Sequence, residues 1–230
     1  MSIKENIDHV RSEIDEICKK VDRDSNEVTL IAVTKTIDTA RIGQALNENI
    51  KDVGENKVQE IMNKYEEIKD AKIHMIGHLQ TNKVKYIIDK VSLIHSLDRV
   101  SLAKEINKRA KQHNIIMDTL VQVNVANEET KFGLKVEAVE SFLEEIKHME
   151  NIRVVGLMTI APYEEDSENV RIYFKGLKKI FEELKGKDYS NVNMKYLSMG
   201  MTNDYKVAIE EGANFIRIGT GIFGLRNYDK

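Results

Sequence analysis

Val28-Thr29-Leu30-Ile31-Ala32-Val33-Thr34-Lys35 is rich in β-branched residues, apolar through its middle, and ends abruptly in a lysine. A half-exposed strand alternates apolar and polar side chains, whereas a continuous apolar run is covered on both faces, as strands of a parallel sheet are. Parallel neighbours need a crossover, usually a helix. The flanking sequence is therefore predicted to alternate helix and strand. Upstream, Ile3, Ile7, Val10, Ile14, Ile17 and Val21 recur at spacings of four and three, which predicts an amphipathic helix over 3–22. Downstream, Ile37-Asp38 begins a helix to about Asn49, followed by a strand over 52–56, a helix over 57–69 and a strand over 73–77.

The alternation continues to the end of the chain. Strand 93–97 precedes helix 99–112, strand 118–125 precedes helix 136–147, and strand 153–159 precedes a long amphipathic helix marked by Val170, Phe174, Leu177, Phe181 and Leu184. Tyr196 to Gly200 is a strand, 204–211 a helix, and Phe215-Ile216-Arg217-Ile218 a last strand that opens into Gly219-Thr220-Gly221. Eight strands, each followed by a helix or helical turn, with one extra helix in front, point to an α/β fold: a single-domain (β/α)8 TIM barrel over 1–230. An open doubly wound sheet is the alternative that strand count leaves open. No Pro/Gly/Ser-rich linker or composition shift divides the chain.

Composition narrows the function classes. Of 230 residues, 41% are hydrophobic, enough for a sizeable core. The net charge of -3, with basic residues spread along the chain, gives no electrostatic footprint for nucleic acid or an anionic membrane. No apolar run is long enough to span a bilayer, and Met1 to Glu5 leads into charged helix rather than a signal peptide, so a cytoplasmic protein is expected. A monomer is expected rather than a stable oligomer. The one cysteine, Cys18, falls in a helical apolar pattern and reads as a buried structural thiol.

In a barrel, active sites lie at the C-terminal ends of the strands, with phosphate sites in the loops after strands seven and eight. Lys35 ends strand one, Asn56 strand two, His78 follows strand three, Ser198 to Gly200 ends strand seven, and Gly219 to Gly221 ends strand eight. Strand parity puts Phe215, Arg217 and Gly219 on the inner face, so Arg217 is a buried charge in need of a fixed partner. A Gly-Thr-Gly turn lets backbone N–H groups approach a phosphate closely; the plainer reading is a glycine-rich turn that merely redirects the chain. Closure makes strands eight and one neighbours, which sets Lys35 beside this turn. A strand-end lysine that is desolvated is available for a Schiff base, while one that snorkels to solvent is inert. Pyridoxal 5'-phosphate offers an aldehyde for Lys35, a phosphate for the turn and a ring nitrogen for Arg217. A sugar-phosphate aldolase is the competing reading, though Arg217 would then have no evident task.

Ala32-Val33-Thr34-Lys35, Gly54-Glu55-Asn56, His74-Met75-Ile76-Gly77-His78-Leu79-Gln80, Gly156-Leu157-Met158-Thr159, Ser198-Met199-Gly200-Met201 and Arg217-Ile218-Gly219-Thr220 resemble the pyridoxal phosphate homeostasis protein family along nearly the whole chain. That family is similar to the barrel domain of alanine racemase, a fold type III pyridoxal phosphate protein. The resemblance implies that Lys35 is the Schiff-base lysine and Arg217 meets the ring nitrogen. It implies that Ser198, Met199, Gly200, Gly219 and Thr220 make the phosphate site and that Asn56 and His78 line the ring. Ile73 departs from it, standing where an aromatic is common.

The resemblance also implies a role in vitamin B6 and amino-acid homeostasis without catalytic turnover, with pyridoxal-phosphate-dependent apo-enzymes as partners. An amino-acid racemase of the same fold and an adaptor with a structural cofactor are the alternatives. In alanine racemase the opposing tyrosine comes from a further domain of the partner subunit; here nine residues follow Gly221, and Tyr163 or Tyr228 would have to stand in. His74 and His78 are four apart on a strand and loop, which makes no shared metal face, so no metal is expected. The run Glu164-Glu165-Asp166 reads as a solvated helix start. Residues 126–135 form a polar loop with the length to fold over the site.

Overall fold

The computed structural model describes residues 1–224 and places eight parallel strands in one closed barrel, each hydrogen-bonded to the next in chain order, with β8 closing on β1. In order, the elements are α1 (Ile3–Lys20), β1 (Thr29–Val33), α2 (Thr39–Asn47), β2 (Asp52–Glu55), α3 (Val58–Ile68), β3 (Lys72–Met75), β4 (Leu93–Leu97), α4 (Val100–Gln112), β5 (Met117–Gln122), α5 (Val139–Ile146), β6 (Ile152–Met158), α6 (Arg171–Lys185), β7 (Val192–Met201), α7 (Tyr205–Glu210), β8 (Phe215–Ile218) and α8 (Thr220–Phe223). The open-sheet alternative is thereby excluded.

Helix ends follow local chemistry. Ser2 and Glu5 form a reciprocal capping box at the start of α1, and the Asp38 side chain accepts from the Arg41 N–H, so α2 begins at Thr39 rather than at Ile37. The segment after β3 makes only a 3-10 turn, Thr81–Tyr86. Helix α5 also opens as a 3-10 turn, Val136–Ala138, just after Leu134, which is tied back to the end of β5 by bonds with Gln122 and Asn124. Strand β7 starts four residues before Tyr196, where exposed Asn193 and Lys195 alternate with buried Met194.

Two cores result. The outer one packs helix faces on the barrel, for example Phe174, Leu177, Phe181 and Leu184 of α6, and contains Cys18, whose thiol burial pushes up. The inner one fills the bore with Ile31, Leu93, Leu120, Val155, Met158 and Phe215. At Gly156 the neighbouring strand comes so close that a Cβ would lie 1.9 Å from the Tyr196 carbonyl oxygen, so β6 meets β7 only with a glycine there. No helix among the described residues is long and apolar enough to cross a membrane.

Candidate functional site

A cavity of about 570 Å³ opens at the C-terminal ends of the strands. Lys35 and Val33 come from β1 and its end, Asn56 from beyond β2, His78 from beyond β3, Met201 to Asp204 from the end of β7, and Arg217, Gly219 and Thr220 from β8 and its turn. Asn56 does not cap the next helix: the cap position of α3 is Lys57, with no side-chain bond, which leaves Asn56 to the cavity. Its backbone is crossed by the loop after β3, where a Cβ on Gly77 would stand 2.3 Å from the Asn56 carbonyl oxygen.

The backbone around Lys35 is gripped from α3. Lys64 donates to the Thr34 carbonyl at 2.8 Å, to Glu55 Oε1 at 2.9 Å and to Glu60 at 2.8 Å; Glu60 in turn accepts the Thr36 N–H at 2.7 Å. The Thr34 hydroxyl also donates to Glu55, at 2.7 Å. Thr36 sits at φ 62°, a left-handed conformation unfavourable for a β-branched residue, which the Glu60 bond helps to hold. Glu55 is fully buried and its Oε2 has no hydrogen-bond partner, so burial pushes its carboxyl up against the opposing pull of Lys64 and Thr34.

Arg217 is 4% exposed and its partners are neutral: Nη1 donates to Ser198 Oγ at 2.5 Å and Nη2 to the Thr159 carbonyl at 2.8 Å. Burial lowers its pKa to about 10, opposed by the field of Asp204. Asp204 also lines the cavity, and burial pushes its carboxyl up although it accepts the Met201 N–H at 2.5 Å. The guanidinium stays charged at neutral pH and faces the cavity as a donor only.

Next to it, the turn after β8 leads directly into α8. The Thr220 hydroxyl donates to the Thr202 hydroxyl at 3.1 Å, and the Gly221 N–H to the same oxygen at 3.3 Å, so two hydroxyls from just beyond β7 and β8 meet at one wall. On the opposite side His78 stacks on Phe132, with centroids 3.9 Å apart and planes at 18°; its Nδ1 makes no hydrogen bond, the Asp98 carboxylate standing 3.6 Å away. Phe132 and Lys131 belong to the 126–135 loop, which therefore forms part of the cavity wall, and the Phe132 carbonyl accepts from Gln122.

The structure thus brings Lys35, Asn56, His78, Arg217, Gly219 and Thr220 to one cavity. Ser198, Met199 and Gly200 are fully buried and are not among its lining residues; the Ser198 hydroxyl is held between Arg217 and His95. Tyr163 and Glu164 line the mouth, and Asp166 caps the 3-10 turn Ser167–Val170 while Glu168 pairs with Arg171. Tyr228 lies outside the described residues. Sequence reasoning missed Thr202, Asn203 and Asp204, although they directly follow the quoted Ser198-to-Met201 motif, and it missed Lys64, whose partners are remote in sequence.

The family model for the alanine racemase N-terminal domain matches residues 6–227. The pyridoxal phosphate homeostasis protein of Aquifex aeolicus is 46% identical, over 99% of this chain and 100% of that one. This chain belongs to the pyridoxal phosphate homeostasis protein family. A solved structure of PipY from Synechococcus elongatus, with PLP bound, superposes on this member of the family with a TM-score of 0.84 and 28% identity, covering 97% of this chain and 100% of that one. Alanine racemase of Clostridium difficile matches with a TM-score of 0.71 at 14% identity, covering 95% of this chain and 60% of that one, a likeness that extends to the fold alone.

Proposed function

We propose that the protein holds pyridoxal 5'-phosphate at this cavity, covalently on Lys35, as a cytosolic carrier serving vitamin B6 and amino-acid homeostasis, and does not turn over a substrate. The observation that carries the reading is the meeting of Lys35, a buried donor-only Arg217 and the Thr202/Thr220 hydroxyls in one cavity. The residues present fit the cofactor: an amine for an aldehyde, two hydroxyls and the turn after β8 for a phosphate, and the His78 ring on the wall. PipY, whose solved structure has PLP bound, supports it through an alignment that spans the chain.

When bound, pyridoxal phosphate supplies an electrophilic carbon and an electron-withdrawing ring. Lys35 contributes an amine on a backbone segment fixed by Lys64 and Glu60. Thr220 and the Gly219 turn anchor the phosphate, and Ser198 serves indirectly, by orienting Arg217. Arg217 keeps a ring nitrogen placed against it unprotonated, because a guanidinium donates and does not yield its proton at neutral pH. That weakens the ring as an electron sink and disfavours transamination. Apo-enzymes that need the cofactor are the partners this role implies.

Purified protein is incubated with pyridoxal phosphate, reduced with borohydride and peptide-mapped. Lys35 should carry the label, and Lys35→Ala should lose both the label and the visible band; a label on another lysine refutes the site. One observation favours a racemase instead: Tyr163 lines the mouth of the cavity. Exchange of the α-proton of L- and D-amino acids in deuterated water, abolished by Lys35→Ala and by Tyr163→Phe, would establish that second reading.

A further inference from the structure

The polar groups inside the bore form one line. Asp52 Oδ1 lies 2.9 Å from His74 Nε2, His74 Nδ1 lies 2.9 Å from His95 Nε2, and His95 Nδ1 lies 2.9 Å from Ser198 Oγ. Ser198 Oγ accepts from Arg217 Nη1. The line starts at Asp52, which with His74, Lys72, Asp118 and Tyr196 borders a cavity of about 280 Å³ at the N-terminal mouth of the barrel. It ends on the guanidinium that lines the cavity at the C-terminal mouth. Phe215 packs its ring against His74 and His95, with centroids 5.6 Å from each, and shields the line from water.

The direction of every bond follows from the two ends. Arginine has no acceptor, so Ser198 Oγ accepts from it and the hydroxyl proton is left to donate to His95 Nδ1. His95 then carries its proton on Nε2 and donates to His74 Nδ1, and His74 carries its proton on Nε2 and donates to Asp52. Both rings are neutral in this arrangement. Protonating His74 would reverse His95 and strip the Ser198 hydroxyl of its acceptor. Burial, with His74 and Arg217 nearby, holds His95 well below the usual histidine range, which agrees with a neutral ring.

We propose that Asp52, His74, His95 and Ser198 are positioning residues for Arg217: a directional hydrogen-bond chain through the bore that fixes the guanidinium facing the cofactor and ties it to a carboxylate at the far mouth. This rests on the cofactor reading above. Each bond in such a chain polarises the next, so the Asp52 charge is felt at Arg217 although the two side chains do not touch. Ser198, buried behind the cavity lining, thereby acquires a task through Arg217.

Two measurements test it. Imidazole ¹⁵N spectra of the cofactor-free protein at pH 7 should show His74 and His95 both neutral with the proton on Nε2; an Nδ1–H tautomer or an imidazolium at either overturns the direction. In the protein loaded with pyridoxal phosphate, Asp52→Asn, which keeps an acceptor but removes the charge, should shift the visible band by several nanometres while borohydride still fixes the label on Lys35, and Asp52→Glu should restore the band. A folded Asp52→Asn and a folded Ser198→Ala that both retain the wild-type band overturn the coupling. Wild-type protein that takes up no pyridoxal phosphate refutes the cofactor reading instead, and the ¹⁵N pattern then decides the chain by itself.

Discussion

Replacing Lys64 by methionine removes the only cation bonded to a fully buried carboxylate, Glu55, among the described residues. Methionine matches the length of the lysine stem, so the loss is chiefly electrostatic. An unpaired Glu55 escapes by taking a proton, and from an unfolded value of 4.5 this costs roughly 1.4 kcal/mol per pH unit, or about 3.4 kcal/mol at pH 7. That lies at the lower end of the ~3–5 kcal/mol seen when one partner of a buried pair is removed. The sign follows from proton counts: native Glu55 then binds a proton that the unfolded chain has released, so stability of the variant falls as pH rises above 4.5. Burial already pushes the wild-type carboxyl up, so wild type bears part of this cost; destabilisation relative to wild type should stay below about 3.4 kcal/mol at pH 7 and shrink further at pH 5. Urea unfolding of the cofactor-free proteins at both values measures it. Equal destabilisation at pH 5 and pH 7, or a loss that grows as the pH falls, would refute the reasoning.

Other consequences are equally direct. Arg217→Glu places an acceptor where a donor stood, so the ring nitrogen should gain a proton and the visible band should move, read by absorption of the loaded protein. Thr220→Ala removes a hydroxyl bond to a charged group worth about 1.5–3 kcal/mol, so pyridoxal phosphate should bind roughly 10- to 100-fold more weakly, with Lys35 still labelled by borohydride. Gly77→Ala drives a methyl into the Asn56 backbone, which should cost about 1–3 kcal/mol in thermal unfolding and weaken binding as well.

The barrel was legible because eight strand-like runs alternated with helical periodicity along the chain, and five of them led into polar or glycine-rich ends that a barrel gathers at one mouth. Strand β7 was read short, since the alternation from Val192 to Lys195 is that of a half-exposed strand and lacks the continuous apolar signal of the others. Lys35 and Arg217 stood out as charges on otherwise apolar strands. The line through the bore carried a signal that parity alone contains: Asp52, His74 and His95 all stand on inward positions of their strands, yet a strand histidine gives no hint of which neighbour it meets. Lys64 was invisible for a different reason. On a helix, one more lysine looks solvated until α3 is laid against the turn after β1. Thr202 to Asp204 fall in a turn without periodicity, so only the folded chain assigns them to the cavity.

Closure of the barrel has a temporal meaning. Arg217 of β8 pairs in register with Ile31 of β1, and the carbonyl of Ile222 accepts from Asn6 of α1, so the cavity is assembled from the first and last strands made during synthesis. Until β8 has emerged, Lys35 has no guanidinium beside it and no turn to face. On the reading proposed above, a chain without β8 lacks the arginine and the turn that share the cavity with Lys35, so firm retention of the cofactor should require the closed ring.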